Sequence, residues 1–170
     1  PFVPPSQKQI LAYFSLAALA LAGFTSYRLI HLEYAAFSGM YLLDPYSTFF
    51  KFLLYMAAAF VILLSMNYLK IEKINIGEYY AFILIATAGM MVMVSGGDLI
   101  TIYLGLELTS ICFYVLAGFK RYEERSTEAS AKYFILGSFS SGVLLYGISI
   151  LYGLAGTTNL KELSAFFANA

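Results

Sequence analysis

The sequence predicts an all-α protein, a polytopic bundle of about five transmembrane helices, and three observations carry that reading. Hydrophobic residues make up 61% of the 170 and charged residues only 12%, with a mean hydropathy of +0.77, against roughly half and a quarter in soluble globular chains. A core for a chain of this size needs less apolar surface, so the excess must face a medium other than water, and a bilayer is the ordinary one. The chain also divides into five apolar runs, each near the roughly 20 residues that a helix needs to cross a hydrocarbon core. Fifteen Tyr and fifteen Phe suit a membrane protein, although the absence of Trp weakens the mark of an interfacial aromatic belt.

The first span is expected over about 8–30, opened by Ser6 and Gln9 in capping-box spacing. The second runs over about 45–69; Asp44-Pro45 supplies an N-cap and a first-turn proline, and Lys51, one to two turns inside, can snorkel. The third, about 78–96, has no charge after Glu78, and its "GMMVMV" (89–94) reads as packing rather than a cofactor pocket. The turn "SGGD" (95–98) follows, with Asp98 placed to cap the fourth span, about 98–120. The fifth, about 126–154, takes Ser126 as its cap and Glu128 in the first turn, where the helix dipole favours it. These five spans form one transmembrane unit over 1–156. In 157–170, "NLKELSAFFA" has Asn159 and Glu162 in capping-box spacing and Leu160, Leu163 and Phe167 on one face, which predicts a short amphipathic helix in the membrane interface.

Several function classes fall away. Net charge is zero with no basic run, so nothing points to nucleic acid. The single cysteine, Cys112, cannot pair within the chain, and one histidine, His31, in a loop, makes no metal or haem pair. No motif for flavin, iron–sulfur cluster or nucleotide is present. From Pro1 onward there is no basic stretch, apolar core and small-residue cleavage site in that order, so no signal peptide is expected, and the missing initiator methionine reads as truncation. If the spans alternate, Lys8, Lys70, Lys73, Lys120, Arg121 and Arg125 fall on one side and Arg28, Lys51 and Lys161 on the other, which makes the first side cytoplasmic.

One charge interrupts the fourth span. In "LITIYLGLELTSICFYVLAGF" (99–119), Glu107 lies near the middle, where an acidic side chain costs on the order of 2.5–3.5 kcal/mol on insertion scales. Tyr103, Glu107, Ser110 and Tyr114 follow at spacings of four, three and four, so they share one polar face of an otherwise Leu, Ile, Val and Phe helix, and that face should turn into a bundle. The one other ionisable residue expected at comparable burial is Lys132, about two turns into the fifth span. The short turn "KRYEERS" (120–126) makes these spans antiparallel neighbours. At about 1.5 Å per residue, Glu107 lies roughly 18 Å and Lys132 roughly 9 Å from that turn, so an ion pair needs both side chains to reach, and a water or hydroxyl bridge is equally open. Ser138, Ser141 and Gly142 add hydroxyls and a small-residue stripe that lets another helix approach. The plainer alternatives are a Glu107 that is only hydrogen-bonded glue and a Lys132 that only snorkels.

The segments "DLITIYLGLELTSICFYVLAGF" (98–119) and "RSTEASAKYFILGSFSSGVLLYGISILYGLAGTT" (125–158) resemble the antiporter-like membrane subunit N of proton-pumping NADH:quinone oxidoreductase, respiratory complex I, with its plastid and cyanobacterial relatives. The likeness is strongest over 79–158 and extends to 44–69. It implies that Glu107 is the family's membrane-embedded glutamate on its fifth helix and Lys132 the lysine on its sixth. Both would be switchable charges of a proton relay, and Tyr103, Ser110, Tyr114, Ser138 and Ser141, singled out by their spacing alone, are the supporting polar groups expected beside them. It further implies a fragment of an enzyme subunit with no cofactor or metal of its own. Quinone, NADH, FMN and iron–sulfur clusters are expected in partner subunits of complex I. The expected setting is the bilayer of a bacterial inner membrane, with thylakoid or mitochondrial inner membrane as alternatives. A subunit of a multi-subunit sodium/proton antiporter, or a structural membrane spacer, remain the other readings.

Overall fold

The computed structural model describes residues 8–72 and 77–169. Helices α1 (Lys8–Arg28), α2 (Pro45–Ile71), α3 (Glu78–Val94), α4 (Leu99–Ala117) and α5 (Glu124–Ala155) coincide with the five expected apolar runs, and α6 (Leu160–Ala168) follows. Four of them are long and apolar enough to cross a membrane, while α3 is a shorter apolar helix of 17 residues. The turn after Met93 ends α3 earlier than its apolar run suggests, because Ser95 and Gly96 donate their N–H groups back to Met91 and Met93.

Capping chemistry sets most of the boundaries. Asp44 caps α2, accepting from Ser47 N at 2.7 Å, with Pro45 in the first turn. Asp98 caps α4 through Ile100 N at 2.8 Å. Ser126 is not the cap of α5, which begins at Glu124; its hydroxyl donates instead to the Ala117 carbonyl at 2.8 Å, satisfying a carbonyl left open at the end of α4. At α6, Asn159 caps Lys161 N at 3.0 Å, but the reciprocal half of the expected box is absent: Thr157 takes both the Asn159 N–H and the Glu162 carboxylate. Ser6, expected to open α1, and Lys73 lie outside the described residues.

The core sits among α1, α2 and α3, where Ala12, Leu19, Tyr55, Ala58, Ile62 and Ile83 are buried. The closest approach in the bundle joins α3 to α4. A Cβ added at Gly105 would come within 2.7 Å of Gly89 O and 2.8 Å of Met93 N, so only hydrogen lets the two backbones meet. Thr109 closes this crossing, its hydroxyl reaching Gly105 O at 2.9 Å and Ala86 O at 3.3 Å. α5 rests mainly on α4, and Ile148 is its one buried residue.

The connection between α1 and α2, expected only as a loop holding His31, forms a hairpin of β1 (Tyr34–Ala36) and β2 (Tyr41–Leu43). Phe37, Ser38 and Gly39 turn it in the left-handed region. Leu42 N–H bonds to Ser95 O at 2.7 Å and Gly97 N–H to Met40 O at 2.9 Å, tying the hairpin to the α3–α4 turn. Leu99 N–H to Thr158 O at 3.0 Å and Thr158 Oγ1 to Asp98 Oδ2 at 2.6 Å add the α5–α6 connection. At the opposite end Lys120 joins Glu72 at 2.7 Å and Glu123 at 3.2 Å, so the C-terminal ends of α2 and α4 and the start of α5 lie together.

Gly105→Ala is therefore expected to force α3 and α4 apart and to cost about 1–3 kcal/mol. A lowered thermal unfolding midpoint of the full-length subunit checks this; an unchanged midpoint contradicts the close crossing.

Candidate functional site

α4 presents two faces. Gly105, Thr109 and Cys112 are buried, and Gly105 and Thr109 meet α3, while Tyr103, Glu107 and Tyr114 turn to α5. The face expected to point inward thus meets a neighbour, and the neighbour is α5. Ser141 donates its hydroxyl to the Glu107 carboxylate and lies 3.0 Å from the Tyr103 hydroxyl, so Tyr103, Ser141 and Glu107 form a continuous hydroxyl–carboxylate chain between the helices. Glu107 is half-buried, as is Ser110 one turn further along.

Tyr114 plays a different part. Its buried ring stacks edge-on against Tyr133 at 4.8 Å and Phe134 at 5.6 Å, and it fills the notch left by Gly137, where an added Cβ would fall 2.7 Å from the ring carbon bearing the hydroxyl. Ser130 bonds to Tyr114 O at 2.8 Å. These contacts set the distance between α4 and α5 at which Ser141 reaches Glu107.

Lys132 is not brought to Glu107. Its side chain is 70% exposed, and its ammonium lies 2.5 Å from Glu128, one turn earlier on the same helix face. The depth mismatch explains the choice: a partner at i−4 costs less side-chain ordering than one across the helix pair and deeper. Ser138 is exposed and Gly142 has open space beside it, so of the small-residue stripe only Ser141 meets a neighbouring helix among the described residues.

The enclosed cation is Lys51 instead. It is 3% exposed and does not snorkel to solvent; the hairpin covers it, and its ammonium donates to the Tyr41 hydroxyl at 3.1 Å. Burial pushes the Tyr41 phenol up, but the neighbouring Ser95 hydroxyl, which lacks the geometry of a full hydrogen bond, and the Lys51 ammonium together hold it below the ordinary tyrosine value. At the other end, the Glu72 and Glu123 carboxylates hold the Lys120 ammonium above the usual lysine range. The sequence does mark Lys51: Thr48, Lys51, Tyr55, Ala58, Ile62, Ser65 and Leu69 alternate at three and four and are all buried.

Residues 96–170 match the model of the NADH:quinone oxidoreductase/Mrp antiporter transmembrane family. This part of the chain, residues 96–170, belongs to that antiporter-like membrane family. Among curated relatives, NADH-quinone oxidoreductase subunit N of Trichlorobacter lovleyi is 44% identical over 96% of this chain and 34% of its own length. The subunit of the same name from Paramagnetospirillum magneticum is 50% identical over 78% of this chain and 27% of its own length. The chain thus spans about a third of the length of such relatives. Its fold matches a chain of respiratory complex I from Thermus thermophilus with a TM-score of 0.77 at 29% identity, covering 93% of this chain and 34% of that one. An archaeal membrane-bound sulfane sulfur reductase shares the fold with a TM-score of 0.71 at 22% identity, covering 95% of this chain and 36% of that one. An integral membrane protein with an antiporter-like helix bundle follows from these matches and from the apolar helices.

Gly137→Ala, which places a methyl against the Tyr114 ring, is expected to separate α4 from α5 at a cost of about 1–3 kcal/mol. A drop in the thermal unfolding midpoint of the full-length subunit would bear this out, and a wild-type midpoint would show that the Tyr114 notch does not set the helix spacing.

Proposed function

We propose that this chain carries part of the proton-translocating machinery in the membrane arm of an NADH:quinone oxidoreductase, with Glu107 as the proton-holding group. The observation that carries the reading is the Tyr103–Ser141–Glu107 chain: a carboxylate set in an apolar helix and reached by a hydroxyl from the next one. A hydroxyl both donates and accepts, so Ser141 can pass a proton to Glu107 while taking one from Tyr103. A cation brought within about 4–6 Å favours the ionised form of a carboxylate, and desolvation favours the protonated form. Lys132, released from Glu128, or a lysine on another helix would supply that movable charge. Redox energy arrives through partner subunits, which would hold NADH, FMN, iron–sulfur clusters and quinone, and the assembly sits in a bacterial inner membrane. Relatives of the same name and a fold match to complex I support this setting.

The family model also spans Mrp antiporters, which favours a second reading, a subunit of a sodium/proton antiporter. Sodium dependence of transport would select it, and co-purification with iron–sulfur subunits the first.

Glu107→Gln, made in the full-length subunit of the intact complex and reconstituted in vesicles, is expected to assemble, to keep quinone reduction, and to lower the number of protons moved per electron. A wild-type ratio would refute the relay. Altered assembly with an unchanged ratio would indicate a spacer.

A further inference from the structure

One buried lysine among the described residues takes no part in the α4–α5 chain. Lys51 stands on the inward stripe of α2, with Tyr41 as its hydrogen-bond partner and the Tyr41 ring centre 5.0 Å from its nitrogen. An ammonium has three protons to donate, and a charge withdrawn from water is stable only when paired and hydrogen-bonded. Among the described residues no carboxylate forms an ion pair with Lys51. Of the acids at this end, Asp44 is engaged with Ser47 N at 2.7 Å, Asp98 with Ile100 N at 2.8 Å and Thr158 Oγ1 at 2.6 Å, and Glu162 with Thr157, while Glu33 beside the hairpin forms no ion pair with Lys51. Arg28, which closes α1, brings only like charge.

Two further hydroxyls belong to the same region. Thr48 lies one turn before Lys51 on the same face, and Ser95 lies beside the Tyr41 phenol; each is 1% exposed, and neither side-chain oxygen has a hydrogen-bond partner. Buried polar groups are ordinarily satisfied. Two orphaned hydroxyls, one on the face of an enclosed lysine and one beside its phenol partner, describe a polar site. Tyr41 itself is half-buried on the hairpin and so links the enclosed amine to the surface.

We propose that Lys51 and Tyr41, flanked by Thr48 and Ser95, form a second proton-exchange site at the hairpin end of the bundle, separate from Glu107. The Lys51 ammonium passes a proton to the Tyr41 oxygen while the phenol releases its own proton at the hairpin surface, leaving a neutral amine and a neutral phenol. A proton arriving by way of the Thr48 hydroxyl restores the ammonium. One proton enters for each that leaves, and only N–H and O–H bonds change. The site rests on the reading that this chain moves protons, but not on the role of Glu107.

Lys51→Arg in the full-length subunit of the intact complex tests it, because a guanidinium keeps the charge and can still donate to a phenol but does not release its proton. The expected result is assembly and quinone reduction as in wild type with a lower number of protons per electron. Lys51→Gln, neutral at every pH, should show the same loss and covers the case in which the larger side chain blocks folding. A wild-type ratio in either variant overturns the proposal and leaves Lys51 as a fixed anchor of the hairpin. Glu107→Gln measured beside them separates the two sites. A loss confined to the Lys51 variants keeps this site and removes the Glu107 relay, a loss confined to Glu107→Gln does the reverse, and losses in both support both.

Discussion

The arrangement of α4 and α5 depends on the hydrogen bond from the Ser141 hydroxyl to the Glu107 carboxylate. In an apolar bundle every polar group must find its partner inside the protein, and a carboxylate without one is costly. Ser141 serves Glu107 and Tyr103 together, so a single hydroxyl on α5 stabilises two polar groups on α4. Packing makes that reach possible. Tyr114 in the Gly137 notch sets the spacing on one face of α4, and Gly105 against Gly89 locks the other face to α3. α4 is thereby held between two close contacts, and Glu107 is presented in the same direction throughout.

The two ends of the bundle are secured by different chemistry. At the hairpin end, backbone hydrogen bonds link β2, the 95–98 turn and the α5–α6 connection, and Gly97 leaves room for the Gly39 carbonyl. Such ladders satisfy backbone groups that would otherwise face low dielectric unpaired. At the other end the link is the Lys120–Glu72–Glu123 cluster, which is partly exposed and screened by salt. The hairpin end is the one that encloses Lys51.

Much of this was legible in the residues. Apolar run length placed the five helices α1–α5, Asp44 and Asp98 announced their caps, and the four–three–four spacing of Tyr103, Glu107, Ser110 and Tyr114 predicted a shared face from which Tyr103, Glu107 and Tyr114 reach α5. What was not legible depended on contacts distant in sequence or on local pairs that win over distant ones. The hairpin has strands of three residues, too short for any alternation to show, and its order comes from Ser95 and Gly97 more than fifty residues away. Lys132 pairs with Glu128 because local pairing on a helix competes with any partner across the interface. Lys51 was readable in principle by the same periodicity that singled out Glu107. Its nearness to a helix start pointed to snorkelling, and only the fold shows the hairpin closing over it.

The proposed relay requires Glu107 to change its protonation during turnover. Infrared difference spectroscopy of the intact complex, comparing resting and turning-over enzyme, addresses it directly. A carboxyl C=O band that appears or disappears on turnover, and is missing when Glu107 is replaced by glutamine, is the predicted result. A difference spectrum in the carboxyl region that is identical with and without Glu107 would contradict it.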